Sequence, residues 1–174
     1  MKEPSLLKYL RDVLIFPFMI TVVIPYLLYN KNQALIPGHI IVKIAGIILF
    51  VIGIFLFLYT NFLFKTIAKA TLAPWSPKQN LVVKGPYRYC RNPMITGVLC
   101  ILFAEALYFH STNIFCFGCF FILTNTIFFI KVEEPYLTKT FGEQYLHYKS
   151  KVGRWIPKLK PYQPAITDTD MQYK

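Results

Sequence analysis

The sequence predicts an all-α integral membrane protein of about four transmembrane helices. Three observations carry that expectation. The 174 residues are 55% hydrophobic and 16% charged with a mean hydropathy of +0.44, whereas soluble domains carry roughly a quarter charged residues. The apolar residues gather into four runs long enough to enter or cross about 30 Å of hydrocarbon. The cations, 19 Lys and Arg against 8 Asp and Glu, fall almost entirely on one side of those runs.

The first run covers residues 13–29, broken by Pro17 and Pro25. A basic N-terminus precedes it, no small-residue cleavage site follows it, and further spans come after, so it reads as a retained signal anchor. The second, residues 40–64, holds Lys43 near its start and Asn61 near its end. The third, residues 94–109, contains Glu105, and the fourth, residues 114–130, follows a polar tip of His110, Ser111, Thr112 and Asn113 that reads as a tight helical hairpin. Four crossings put the N-terminus, the loop between spans two and three, and the C-terminus on one side. That side holds 17 of the 19 cations, leaving Lys31 and Lys43 for the other. The positive-inside rule then makes the protein multi-pass with both termini cytoplasmic, in a bacterial inner membrane or an endoplasmic reticulum.

For the chain as a whole, the same composition excludes a disordered tail, a small disulfide scaffold and a simple nucleic-acid binder. Cys116 and Cys119 form a C-x-x-C inside an apolar span, where cysteine behaves as a small hydrophobe. His39, His110 and His147 are too scattered to build a metal cluster, so no metal is expected. Phe62 to Leu72 has the interleaved Lys65 and Lys69 of an interfacial helix, with Trp75 at headgroup level. From Lys158 onward, prolines, threonines and aspartates read as a flexible tail, residues 158–174.

Chemistry-bearing residues concentrate on the cytoplasmic face in two segments. The first, G-P-Y-R-Y-C-R-N-P-M-I-T-G at residues 85–97, sets two tyrosines, two arginines and a helix N-terminus directly ahead of span three. Aromatic faces, cations and free backbone N–H groups suit a nucleotide-like ligand with an anionic end; the plainer reading is a positively charged stop with interfacial tyrosines. The second, E-E-P-Y-L-T-K-T-F-G-E-Q-Y-L-H-Y-K-S-K-V-G-R-W-I-P at residues 133–157, follows span four. Its spacing puts Glu134, Leu137, Phe141, Tyr145 and Tyr148 on one helix face. A helix cap accounts for one of the adjacent acids Glu133 and Glu134, but not readily for both.

These two motifs resemble those of the isoprenylcysteine carboxyl methyltransferase family and its relatives, the phospholipid N-methyltransferases. The resemblance spans residues 85–157. It implies one methyltransferase domain over residues 1–174: two N-terminal spans in residues 1–64, a cofactor-binding and catalytic region at 85–157, and the tail. It implies a cytoplasmic site for S-adenosylmethionine formed by the loop between spans two and three and the C-terminal helix, with a lipophilic methyl acceptor entering from membrane lipid. On that reading Gly85, Tyr87, Arg91, Asn92 and Gly97 cradle the donor, Glu133 and Glu134 bind its ribose hydroxyls or amino group, and Tyr145 and Tyr148 wall the pocket. Arg154 orients the acceptor and Glu134 is its catalytic companion.

In two places the sequence departs from the family pattern. Asn92-Pro93-Met94 stands where the carboxyl methyltransferases write His-Pro followed one residue later by Tyr, and is closer to the phospholipid enzymes; Gly153 replaces a common Pro. A carboxylate acceptor, as in the isoprenylcysteine enzymes, is the first expectation, since transfer from a sulfonium would neutralise both charges in a dry site. A phospholipid amine is the alternative, with one Glu taking its proton. An NADPH-dependent sterol-reductase-like enzyme, which shares an Arg-x-Pro segment, and a non-enzymatic membrane protein complete the set.

Overall fold

A computed structural model describes residues 15, 17–29, 39–68 and 78–163. The start of the first expected span, Lys2, Lys8, Arg11, Lys31, Lys69, Leu72, Trp75 and residues 164–174 lie outside the described residues. Those described form helices α1 (Met19–Leu28), α2 (Ile40–Ala68), α3 (Pro93–Tyr108), α4 (Thr112–Phe128) and α5 (Glu134–Lys151), with a 3₁₀ turn at Gly85–Arg88. No strand occurs among them, apart from a single parallel bridge between Cys90 and Gly153.

Two helices are long and apolar enough to cross a bilayer: α2, and the continuous run Thr112–Lys151 that joins α4 to α5. Helices α1 and α3 are apolar but shorter; sixteen residues of α3 reach only about 24 Å. The outer face of α2 is apolar and bare, with Ile41 75% and Phe55 69% exposed. On α4, Phe120 and Leu123 are similarly exposed. Such a continuous unpartnered apolar surface is what hydrocarbon covers.

Glycine sets the α2–α3 crossing. A Cβ on Gly53 would stand 2.9 Å from the Gly97 carbonyl, and one on Gly97 would stand 2.9 Å from the Phe57 amide. Gly46, seven residues before Gly53, meets Ala104 and Tyr108 in the same way. With no side chains between them the two backbones touch, the close approach that small residues permit between apolar helices. The α3–α4 hairpin turns at His110, whose φ is +55°. Ser111 Oγ then accepts from the Ile114 amide as an N-cap. That cap starts α4 at Thr112, so Thr112 and Asn113 belong to the helix rather than to the tip. Asn113 Nδ2 reaches back to the Leu28 carbonyl at 3.1 Å and ties down the end of α1.

Prolines explain the irregular turns. Pro25 and Pro135 lack the N–H that would bond four residues back, and each follows a widened π-type turn, Met19–Val23 and Phe129–Glu133. The second turn lets the chain leave α4 and continue as α5 without a break. Within α5, Gly142 has φ +53° and ψ −132°, a conformation that favours glycine, and it bends the helix there.

Candidate functional site

The 3₁₀ turn and the segment after α5 run side by side. The Arg91 amide donates to the Gly153 carbonyl at 2.9 Å, the Lys158 amide to the Tyr89 carbonyl at 3.0 Å, and the Tyr162 amide to the Arg88 carbonyl at 2.9 Å. Arg88 Nε returns a bond to the Tyr162 carbonyl at 2.7 Å, and the Cys90 thiol donates to the Arg154 carbonyl at 3.1 Å. The two motifs of the sequence are therefore clamped backbone to backbone. Residues 158–163, expected to begin a loose tail, are part of the clamp: Tyr162 is buried beside Tyr148 and within 2.8 Å of His147 Nδ1.

Under the clamp lies Glu134, 6% exposed. Its Oε1 accepts from Arg91 Nη1 at 2.9 Å and from Arg154 Nε and Nη2 at 3.0 and 2.6 Å, while Oε2 pairs with Lys149 at 2.7 Å. Glu134 stands past the apolar run that ends at Ile130. Burial pushes its pKa up, but the bonds from Lys149 and Arg154 and the charges of Arg91 and Arg154 outweigh it and hold the carboxyl below its ordinary range. One carboxylate thus gathers three cations, with the guanidinium bonds of Arg91 and Arg154 converging on Oε1 and Lys149 on Oε2, all of them charge-assisted. Arg91 Nη1 also donates to Tyr145 Oη at 3.2 Å, and Tyr148 Oη donates to the Tyr87 carbonyl at 2.5 Å. Burial raises the Tyr148 phenol well above its ordinary value, so it stays a proton donor.

Beside this cluster is a cavity of about 300 Å³. Its walls come from α2 (Phe64), the stretch after it (Lys78, Asn80, Leu81, Val82), the first motif (Tyr87, Arg91, Asn92, Met94, Ile95), α4 with the turn after it (Asn125, Phe128, Phe129, Val132, Glu133) and α5 (Tyr136, Leu137, Phe141, Tyr145, Tyr148). Most of the lining is apolar and aromatic, with a few polar groups directed inward, the usual make-up of a small-molecule site. Arg91 Nε is buried and has no hydrogen-bond partner, a donor left for an acceptor atom that the protein does not supply. Asn92 precedes the N-terminus of α3, yet its side chain makes no capping bond, and it lines the cavity.

Of the residues singled out in the sequence, Tyr87, Arg91, Asn92, Glu133, Tyr145 and Tyr148 meet at this cavity. Four others are placed elsewhere. Gly85 makes the positive-φ turn packed against Tyr59 and Leu63, and Gly97 is buried in the α2 crossing. Glu134 and Arg154 lie behind the wall, bound to each other. Four of the five residues expected on one face of α5, Leu137, Phe141, Tyr145 and Tyr148, line the cavity across the Gly142 bend, and Glu134 does not. Sequence reasoning missed Phe64, Lys78, Asn80, Leu81 and Val82, which belong to neither motif. Asn125 also lines the cavity, and a polar residue inside the apolar fourth run was the available signal. Trp155 donates from Nε1 to Thr126 Oγ1 at 3.1 Å and packs on Phe129. Among the described residues no group of three or more His, Cys, Asp or Glu is arranged to hold a metal.

The profile of the phospholipid methyltransferase family matches residues 41–144, more than half of the chain and most of the cavity wall. A Haemophilus influenzae protein named only as an uncharacterized protein is 38% identical over 63 residues, which is 36% of this chain and the whole of that protein. No solved structure matches the chain.

Proposed function

Because the chain belongs to the phospholipid methyltransferase family, and is therefore a membrane methyltransferase, we propose that it transfers a methyl group from S-adenosylmethionine to a lipid acceptor at the cytoplasmic membrane surface, in the four-span orientation that the charge distribution favours. Enzymes of this family generally use that donor. The observation that carries the reading is the cavity itself. Both motifs close on it, it abuts the apolar helices, and Arg91, whose guanidinium is held by Glu134 and Tyr145, is part of its lining.

The lining fits such a donor. The Arg91 guanidinium would face its carboxylate, Asn92 and Asn80 offer amide groups for its polar edges, and Tyr87, Tyr145 and Tyr148 wall the space. Bound there, the donor supplies an electrophilic methyl on a sulfonium. Transfer needs only alignment and exclusion of water, and the protein contributes both. Glu134 acts at one remove: by holding Arg91 against Tyr145 it fixes the direction of the Arg91 side chain, so we assign it a positioning role. Arg154 shares that role. Two of its five N–H groups are spent on Glu134, and it is not among the residues lining the cavity, so it is not placed there to hold a carboxylate acceptor.

That observation shifts the acceptor from a carboxylate toward an amine. Glu133 is the carboxylate of the cavity, suitably placed in chemistry to attract an ammonium and to take its proton. Incubating the purified protein with methyl-labelled donor and total membrane lipid tests both levels. Label in lipid that base does not liberate as volatile methanol supports N-methylation; label liberated as methanol supports a methyl ester and returns the isoprenylcysteine-like reading. Absence of labelled lipid, together with binding of NADPH and not of S-adenosylhomocysteine, would overturn the methyltransferase reading.

A further inference from the structure

Lys78 lies outside both motifs, yet its side chain enters the cavity that they form. Its ammonium pairs with Glu133 Oε1 and stands 5.6 Å from the centroid of the Phe64 ring. Its backbone amide donates to Tyr136 Oη at 3.2 Å. All four residues line the cavity. A carboxylate beside an aromatic face is the arrangement that binds organic cations such as alkylammonium and sulfonium groups.

Resting on the function proposed above, we propose that Lys78 is an internal stand-in for the cationic group of the ligand: it neutralises Glu133 while the cavity is empty and is displaced when a ligand cation takes its place. Without Lys78 the empty cavity would hold a partly buried, uncompensated carboxylate, which is costly. The exchange is mechanically simple. The Lys78 backbone is anchored through Tyr136, its neighbour Gln79 donates its amide to the Ala68 carbonyl at 3.0 Å, and Asn80 Nδ2 bonds the Ile67 carbonyl at 2.9 Å. Only the flexible four-carbon stem has to swing, and the paired side chains of Lys78 and Glu133 are 17% and 22% exposed, so the ammonium has water to move into.

The consequence is a competition that sets affinity. If Glu133 is open only about a tenth of the time, a cationic ligand binds about tenfold more weakly than it would to a permanently open site. Calorimetry on the detergent-purified full chain tests this with four probes: S-adenosylmethionine, S-adenosylhomocysteine, a short-chain diacyl phosphoethanolamine lipid, and adenosine as the uncharged control. Lys78→Met should tighten at least one cationic probe by about tenfold, and which probe it is tells whether the donor or the acceptor supplies the cation. Adenosine should be unchanged, and Lys78→Arg, which keeps the charge, should bind as the wild type does. Equal or weaker binding of every cationic probe to Lys78→Met overturns the proposal, as does an equal gain for adenosine, which would report cleared space rather than released charge. Failure of both wild type and Lys78→Met to bind either donor probe would instead overturn the methyltransferase site, and the stand-in with it.

Discussion

At Glu134 one side chain decides the arrangement of three others. Removing it by Glu134→Ala leaves Arg91, 11% exposed in its side chain, beside Arg154 with no counter-charge; the expected loss of stability is on the order of 3 kcal/mol, the range for breaking a buried ion pair. Unfolding in detergent monitored by circular dichroism measures it. Glu134→Gln should cost less, because the amide oxygen still accepts. The pH dependence has a definite sign. The folded carboxyl is held below its ordinary value, so its contribution is fully present above the unfolded pKa of about 4.3 and is lost as pH falls from there through the folded value. A series of unfolding curves from pH 7 down to pH 3 should show that loss in the wild type, and the Glu134→Gln variant should lack that component.

Between helices, the α2–α3 pair rests on backbone contact at Gly53 and Gly97. Gly53→Ala adds a Cβ that would stand 2.9 Å from the Gly97 carbonyl and 2.9 Å from Ile101 Cγ1. Backbone cannot rotate out of the way as a side chain can, so the helices must part. The expected cost is about 1–3 kcal/mol, as for overpacking elsewhere, read as a lowered midpoint of thermal unfolding. At this scale the sequence was informative about helices and poor at their junctions. The apolar runs from Ile40, Met94 and Ile114 reappear as α2, α3 and α4 because a run of that length and hydropathy has few alternatives. The hairpin start shifted because the Ser111 cap, a local hydrogen bond, decides it. Gly97 looked like a donor contact because it sits in a motif; its packing role depends on Phe57, forty residues earlier in the chain. The joining of Arg91 to Glu134 was not legible either, since no spacing rule links residues 43 positions apart.

For the whole molecule the lopsided charge is the organising fact. If the hairpin tip and the clamp lie on opposite sides of the membrane, single cysteines introduced at Phe109 and at Leu159 in a cysteine-free background should label oppositely. Phe109 is 47% exposed and Leu159 fully so, which makes both reporters accessible. A membrane-impermeant maleimide added to right-side-out vesicles should modify Phe109→Cys and spare Leu159→Cys; the reverse pattern would invert the orientation, and labelling of both would show that they share a side. The cavity residues were legible to the extent that they lie in the two motifs. Lys78, Asn80, Leu81 and Val82 join the wall by folding back from a polar stretch with no periodic signal.

The backbone clamp between residues 88–91 and 153–162 has one more consequence, which concerns order in time. A ribosome delivers α2, α3 and α4 first, and the residues that fasten the site come well after the last apolar run has left it. The helices can thus settle in lipid while the pocket still has an open seam. The cavity, on this view, is closed like a parcel whose string is tied last, and a chain interrupted before residue 153 would keep its apolar helices without the clamp.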